Sequence, residues 1–155
     1  MAEPGLINTP NDYRNDPAVP QFDDRNPIII FDGKCVLCSA FAQFILRTDG
    51  NRHFRLLAAQ SPLGTALYRR FGLNAVQYET YILLEAGCAY FRSEATIRIF
   101  EELGLPWRCA RIGRIIPLAL RDKFYDFIAQ HRLRWFGARD TCYFPAPSQA
   151  DRFIS

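Results

Sequence analysis

The sequence lacks any apolar run long enough to cross a membrane. Stretches of its body without a charged residue, such as residues 35–46, are much shorter than the roughly 20 apolar residues that a membrane-spanning helix needs. The N-terminus also lacks the basic segment followed by an apolar segment that marks a secretory signal peptide. We therefore expect a protein with no membrane span and a cytoplasmic location.

A strong excess of charge of either sign is missing too. The formal net charge is +3 and the pI is about 8.7, a basic balance too mild to indicate a nucleic-acid-binding protein. The 155 residues are 49% hydrophobic. The chain is therefore long and apolar enough for one globular domain with its own core.

Cysteine is sparse and odd in number. Of the five cysteines, Cys88, Cys109 and Cys142 are widely scattered. A small secreted scaffold held by disulfides would have a denser and even set. The remaining two, Cys35 and Cys38, form a C-x-x-C pair, and the functional interpretation depends on it.

The chain divides into an arm and a domain. Residues 1–26 hold four prolines among Asn, Asp and Gly, and we expect them to form a flexible or draped acidic arm. Residues 27–155 form the domain. Within it, residues 27–104 are the expected core, and residues 105–155 are a helical and extended C-terminal addition.

The core pattern predicts the element order β-α-β-α-β-β-α. Residues 28–31 are a β-branched and aromatic run, typical of a strand buried on both faces. The apolar spacing becomes that of a helix after Cys35. Ser61 is predicted to cap the second helix and Ser93 the third. Further strands are expected at 53–57, 80–84 and 88–91, the last two joined as a hairpin.

The C-terminal addition is basic and predicts two helices broken near Pro117. We expect its apolar residues to form a face packed on the body and its aromatic residues to pack against the sheet. The basic run could bind phosphates, an anionic lipid surface or an acidic partner, but a solvated helix face is the commoner explanation. The expected packing residues are Leu120, Phe124, Phe127, Ile128, Leu133, Trp107, Trp135 and Phe136, and an extended segment at 137–145 is expected to return to the body.

The chemistry is expected where the first strand turns into the first helix. Cys35 and Cys38 lie at i and i+3 there, close enough to form a small disulfide ring. Free backbone N–H groups, the helix dipole and the neighbouring Lys34 favour the thiolate of Cys35, the nucleophile in thiol-disulfide exchange. A C-x-x-C beside a β-α-β pattern in a cytosolic chain is typical of thioredoxin-like redox proteins, and the element order independently matches the thioredoxin core.

Three other interpretations compete with a redox pair. The cysteines could be merely structural. A zinc site would need two more ligands, and the remaining cysteines, His53 and His131 show no paired spacing. The run from Ile28 to Gly33 also resembles the start of haloacid-dehalogenase-type phosphatases, but Lys34 occupies the position of their second aspartate, which disfavours proton transfer and magnesium binding.

Asp32, Cys35 and Cys38 together resemble the DCC family of thiol-disulfide oxidoreductases, named for these three residues. The similarity extends to later blocks, so it covers about residues 27–145 and leaves the arm outside. Those later blocks are Ser93-Glu94-Ala95, Tyr125 and Phe136 to Cys142.

The resemblance implies a thioredoxin-like α/β fold, with Cys35 as the nucleophile and Cys38 as the resolving thiol. Asp32 could relay a proton to the Cys38 thiol, or its carboxylate could cap the helix and raise the pKa of Cys35 by repulsion. Cys142 is either a third redox thiol or a buried structural cysteine. Thioredoxins carry a cis-proline before the third strand, whereas residues 76–80 hold none.

The sequence therefore predicts a thiol-disulfide oxidoreductase that needs no metal or organic cofactor. Its partners would be protein or small-molecule thiols and disulfides, with glutathione or a dithiol protein as the electron donor. The alternative is a non-catalytic protein-interaction module, which would use the thioredoxin-like scaffold and the basic helices to dock an acidic partner.

Overall fold

The strand Ile28–Phe31 (β1) lies inside the central sheet, with all four side chains buried. The computed structural model describes residues 13–76, 78, 80–143 and 145–154. Alternate residues of β1 point to opposite faces. Ile28 and Ile30 join one apolar cluster, and Ile29 and Phe31 join the other.

The chain has an α/β fold with a thioredoxin-like core and C-terminal helices, as predicted. The five-stranded mixed sheet has the order β4-β3-β1-β2-β5. β2 is parallel to β1, whereas β3 is antiparallel to β1 and forms a hairpin with β4. The further core elements are α1 (Val36–Thr48), β2 (Arg55–Ala58), α2 (Pro62–Arg70), β3 (Ile82–Glu85), β4 (Cys88–Phe91) and α3 (Arg92–Glu102).

The two apolar clusters place α1 and α3 on one face of the sheet and α2 on the other. Ile45 of α1 and Ile99 of α3 are fully buried in the cluster that also contains Cys35 and Cys38. Leu67 of α2 is fully buried in the opposite cluster. The cysteine pair therefore belongs to the layer formed by α1 and α3.

The predicted arm contributes to the core where the structure describes it. Tyr13 and Val19 are buried in the cluster that contains α2, and the Tyr13 ring stacks on Phe22. Residues 13–26 thus pack against the body, while the first 12 residues of the predicted arm lie outside the described residues. The division of the chain at residue 26 stays a prediction.

Ser93 does not cap the third helix, contrary to the prediction. Helix α3 begins two residues earlier than predicted, at Arg92, and its N-cap residue is Phe91, which makes no side-chain cap hydrogen bond. The Ser93 hydroxyl instead donates a hydrogen bond to buried Asp122. A partner distant in the sequence has replaced the local cap.

The C-terminal addition forms a 3₁₀ helix, Trp107–Ile115, and a long helix, α4 (Leu118–Phe136), separated at Pro117 as predicted. α4 packs against α1 and α3. A short 3₁₀ helix, Pro147–Arg152, then leads to β5 (Phe153–Ile154), which pairs in parallel with β2. The sequence pattern did not predict β5.

The prediction that α4 packs its apolar side against the body is wrong. Its buried residues are Asp122 and Arg132, because these two side chains find partners on the body. Ile128 is half-buried, and Trp107 packs its ring against Phe44 at a centroid distance of 4.9 Å. The other residues expected to pack inward are exposed: Leu120, Phe124, Phe127, Leu133, Trp135 and Phe136. Across the described ranges, no helix is long and apolar enough to span a membrane.

Candidate functional site

The two cysteines meet at the first turn of α1. Cys35 is the N-cap residue, with extended backbone angles (φ −77°, ψ 124°), and its Sγ accepts a hydrogen bond from the Cys38 N–H at 3.3 Å. Both cysteines are free thiols. A sulfur therefore occupies the position where a hydroxyl or carboxylate oxygen usually caps a helix.

The surroundings of the two cysteines shift the pKa values of their thiols in opposite directions. The pKa of Cys35 is lowered to about 6, chiefly because the Cys38 side chain hydrogen-bonds to its sulfur; the Cys38 N–H and the charge of Arg132 add to this. The same interaction and burial raise the pKa of Cys38 well above its usual range. These opposite directions favour the thiolate on Cys35 and the proton on Cys38.

Arg132 brings a buried positive charge to the site from α4. Its Nη2 donates to the Tyr78 carbonyl at 2.9 Å and lies 3.5 Å from Asp32 Oδ2. Arg132 lies 100 residues from Asp32 in the sequence. Because α4 was expected to turn its apolar side inward, sequence analysis offered no signal for this residue.

Asp32 occupies the loop between β1 and α1. Its Oδ1 accepts hydrogen bonds from the Lys34 N–H at 2.9 Å and from Gln60 Nε2 at 2.6 Å. Lys34 precedes α1, so the cap of α1 itself is Cys35 and not this carboxylate. The charge of Asp32 raises the pKa of Cys35, but less than the other groups lower it. The proton-relay role stays a prediction.

Gln60 is a second residue that sequence analysis missed. It follows β2, the parallel neighbour of β1, and its Oε1 accepts the Gly33 N–H at 3.0 Å. Parallel strands end at the same edge of a sheet, and that placement was a signal available from the sequence.

A covering segment, residues 137–143, closes over the loop that carries Cys35. Its backbone bonds are Val36 N–H to the Gly137 carbonyl (3.3 Å), Arg139 N–H to the Lys34 carbonyl (2.6 Å) and Tyr143 N–H to the Gly33 carbonyl (2.9 Å). Cys35 and Ala138 form a β-bridge. The Cys35 side chain is consequently 0% exposed. The extended segment was predicted, but its burial of Cys35 was not.

The covering segment also brings Cys142 to the site loop. A Cβ added at Gly33 would lie 3.5 Å from Cys142 Cβ. Cys142 is half-buried and a free thiol. Its role as a third redox thiol stays a prediction. Within the described ranges, no group of three or more His, Cys, Asp and Glu side chains could hold a metal ion.

Two openings flank the pair formed by Asp32 and Arg132. One is an apolar cavity of about 260 Å³ with Cys38, Phe41 and Tyr81 among its lining residues. The other is an open groove of about 890 Å³, whose basic lining residues are Lys34, Arg92, Arg132 and Arg139. Cys38, 6% exposed, lies on the wall of the first.

The segment before β3, where thioredoxins carry the cis-proline, is held here by side chains of other elements. Tyr78 is fixed by Arg132, and the Thr80 carbonyl accepts a hydrogen bond from the Tyr68 hydroxyl. The Tyr81 N–H donates to the Tyr125 hydroxyl at 3.1 Å. This segment, which holds no proline, therefore lines the cavity together with Cys38.

Comparisons with known proteins point to one family. The sequence model of the DCC1-like thiol-disulfide oxidoreductase family matches residues 29–138. The uncharacterized protein YuxK of Bacillus subtilis is 35% identical over 129 residues, 83% of this chain and 94% of that protein. The DCC family protein At1g52590, chloroplastic, of Arabidopsis thaliana is 35% identical over 121 residues, 77% of this chain and 70% of that protein. No solved structure matches.

Proposed function

The chain belongs to the DCC1-like thiol-disulfide oxidoreductase family, and on this premise we propose that it exchanges disulfides through Cys35 and Cys38. The observation that carries the proposal is the split of acidity within the pair: the pKa of Cys35 is lowered to about 6 and that of Cys38 is raised. A nucleophile and a resolving thiol need that difference.

The reaction has two thiol-disulfide exchange steps. The Cys35 thiolate attacks one sulfur of the substrate disulfide, a mixed disulfide forms, and the other substrate sulfur leaves as a thiolate that takes a proton from solvent. Cys38 then loses its proton and attacks Cys35 Sγ, which forms the Cys35–Cys38 disulfide and releases the second substrate thiol. The substrate gains two electrons, and the cysteine pair loses two.

Asp32 is proposed to accept the Cys38 proton in the second step. Its carboxylate lines the same cavity as Cys38, and Arg132 and Gln60 hold it in place. A carboxylate in this position provides a base for a thiol whose own pKa is too high to ionise at neutral pH. Asp32→Asn is expected to leave the formation of the mixed disulfide intact and to slow its resolution.

Access to Cys35 requires the covering segment to move. The φ of Gly137 is +88°, a conformation that favours glycine, and this residue joins the segment to α4. Arg139→Pro removes the N–H that donates to the Lys34 carbonyl, so we expect faster alkylation of Cys35. The Asp140 N–H donates no hydrogen bond within the described residues, so Asp140→Pro is the matched control.

The electron donor is proposed to be glutathione or a dithiol protein. The basic groove beside Asp32 and Arg132 would suit the two carboxylates of glutathione, because Lys34 and Arg139 lie on its wall. The apolar cavity lined by Cys38 would hold the apolar groups that lie next to the reacting sulfur of the bound thiol or disulfide.

A redox titration tests the function. The protein is equilibrated in glutathione buffers, free thiols are trapped by alkylation, and bridges are read by mass spectrometry. We expect a Cys35–Cys38 disulfide with a potential between about −150 and −300 mV. Cys109→Ser, at an exposed cysteine outside the site, is the control and should leave it unchanged. A pair that stays reduced throughout, or bridges only on denaturation, would contradict the proposal.

A non-catalytic interaction module is the second candidate. The observation that favours it is the exposed apolar side of α4, which includes Phe124 and Trp135. Partner binding that survives Cys35→Ser combined with Cys38→Ser, together with a pair that never bridges, would favour this alternative.

A further inference from the structure

The outer side of α4 carries a continuous apolar stripe. Leu120, Phe124, Phe127, His131 and Trp135 recur at intervals of three or four residues, which places them on one face of a helix. Phe124 is 67% exposed. The rings of Phe127, His131 and Trp135 lie in a column with neighbouring centroids 4.6 and 4.9 Å apart.

The preceding 3₁₀ helix also exposes apolar side chains. Ile112 and Ile115, three residues apart and thus on one side of a 3₁₀ helix, are both exposed, Ile115 at 82%. Clustered exposed apolar side chains such as those of α4 are uncommon on soluble monomers and mark interaction sites. We call Ile112, Ile115 and the α4 stripe the outer face.

The outer face is held outward by buried polar contacts. Asp122 accepts the Ser93 hydroxyl, Arg132 reaches Asp32, and Arg121 lies 3.6 Å from buried Glu94. Rolling α4 to bury the stripe would leave these charged groups without partners, which is strongly unfavourable. The exposure of the stripe is therefore a stable property of the fold.

The charges beside the outer face are positive. Residues 107–139 hold eight Lys or Arg and two Asp, and three of the eight, Arg114, Arg121 and Arg132, pair with acidic groups of the body. Both aspartates are engaged, Asp122 with Ser93 and Asp126 with Arg92. Lys123 and Arg134 are exposed on α4, and neither forms an ion pair within the described parts of the chain. Both border the stripe, since Lys123 lies four residues before Phe127 and Arg134 lies three residues after His131.

We propose that the outer face binds the surface of a lipid bilayer that contains anionic lipids. A helix side that exposes aromatic residues, with basic residues at its border, suits the interfacial plane of such a membrane. Lys123 and Arg134 would meet anionic headgroups, and Phe124 and Trp135 would enter the boundary of the acyl chains. A second copy of the chain fits less well, because its docking would bring the basic borders together.

Vesicle sedimentation of the full-length reduced protein tests the proposal. The probes are vesicles of phosphatidylcholine alone and vesicles of phosphatidylcholine with an equal amount of phosphatidylglycerol. We expect binding to the anionic vesicles that weakens as salt is added. Phe124→Ser with Trp135→Ser should weaken binding about tenfold or more, and Lys123→Glu with Arg134→Glu should abolish it.

Leu105→Ser is the matched control, because Leu105 is 80% exposed and lies outside the outer face. It should bind like the wild type. All the variants change exposed side chains, so their unfolding curves should coincide with that of the wild type. The redox titration should be unchanged as well, which keeps this test separate from that of the proposed function.

Three results would overturn the proposal: no binding to the anionic vesicles, binding that survives the Phe124→Ser and Trp135→Ser pair, or a dimer in solution that this pair dissociates. The last would assign the outer face to a second copy of the chain.

Discussion

The two longest helices described in the structure differ in where their apolar side chains lie: α1 buries them, and α4 exposes most of them. Helix α1 turns its apolar side to the sheet, with Ile45 fully buried and Leu46 nearly so. Helix α4 buries Asp122 and Arg132 and leaves Phe124 in solvent. The hydrophobic effect holds α1, whereas directional polar contacts hold α4.

This difference has consequences for the site. Apolar burial is non-directional and roughly proportional to area, so α1 is a stable base for the cysteine pair. Polar contacts depend on the presence of each partner. The contacts that fix α4 include the one between Arg132 and Asp32, so attachment of α4 and electrostatics of the site depend on the same side chain.

The largest expected effect contrasts an apolar residue of each helix. Ile45→Ala removes a fully buried side chain and should lower the free energy of unfolding by about 2–5 kcal/mol. Phe124→Ala on α4 should change it by about 0.5 kcal/mol or less, since that side chain is 67% exposed. Denaturant unfolding measures both, and equal losses would refute the contrast.

A smaller effect tests the polar attachment of α4. Asp122→Ala leaves the Ser93 hydroxyl without its acceptor and should cost about 1–3 kcal/mol. Hydrogen exchange should show the loss of protection concentrated in α4, with β1 less affected. Lys123→Ala, at the neighbouring exposed position, is the control and should leave exchange in α4 unchanged. Uniform loss of protection would mean that α4 is no less firmly held than α1.

The same contrast explains what the sequence could predict. Strands β1 and β4 were located to the residue, because apolar burial dominates there and leaves a clear pattern. The helix break at Pro117 was also confirmed. The prediction of which side of α4 faces the body was wrong, because an apolar stripe normally indicates the buried side of a helix. Here ion pairs with residues far away in the sequence decide the orientation.

The site shows the same division. The cysteines and Asp32 stand together in the sequence and were found from their spacing. Arg132 and the covering segment come from the C-terminal addition, and only the orientation of α4 brings them to Cys35. Strand β5 has two residues, too few to produce a periodic pattern.

The smallest expected effect concerns reactivity. Arg132→Met removes a positive charge that helps to lower the pKa of Cys35, so that pKa should rise. The rate of Cys35 alkylation falls as pH drops through the pKa, since only the thiolate reacts. The midpoint of this profile should lie near pH 6 in the wild type and at higher pH in the variant.

Arg134→Met is the control for the loss of a charge, because Arg134 is exposed on the same helix. It should leave the midpoint in place. An unchanged midpoint in Arg132→Met would show that Arg132 attaches α4 without influencing the pKa of Cys35.

The enclosure of Cys35 by residues 137–139 also bears on chemical damage. Peroxides convert thiolates first to sulfenic acid and then to forms that are not readily reversed. A thiol with a pKa of about 6 is mostly ionised at neutral pH, so in open solvent it would be oxidised readily. In the closed state, with 0% of Cys35 accessible, such oxidants cannot reach the sulfur. The covering segment thus shields the ionised sulfur from over-oxidation whenever the site is closed.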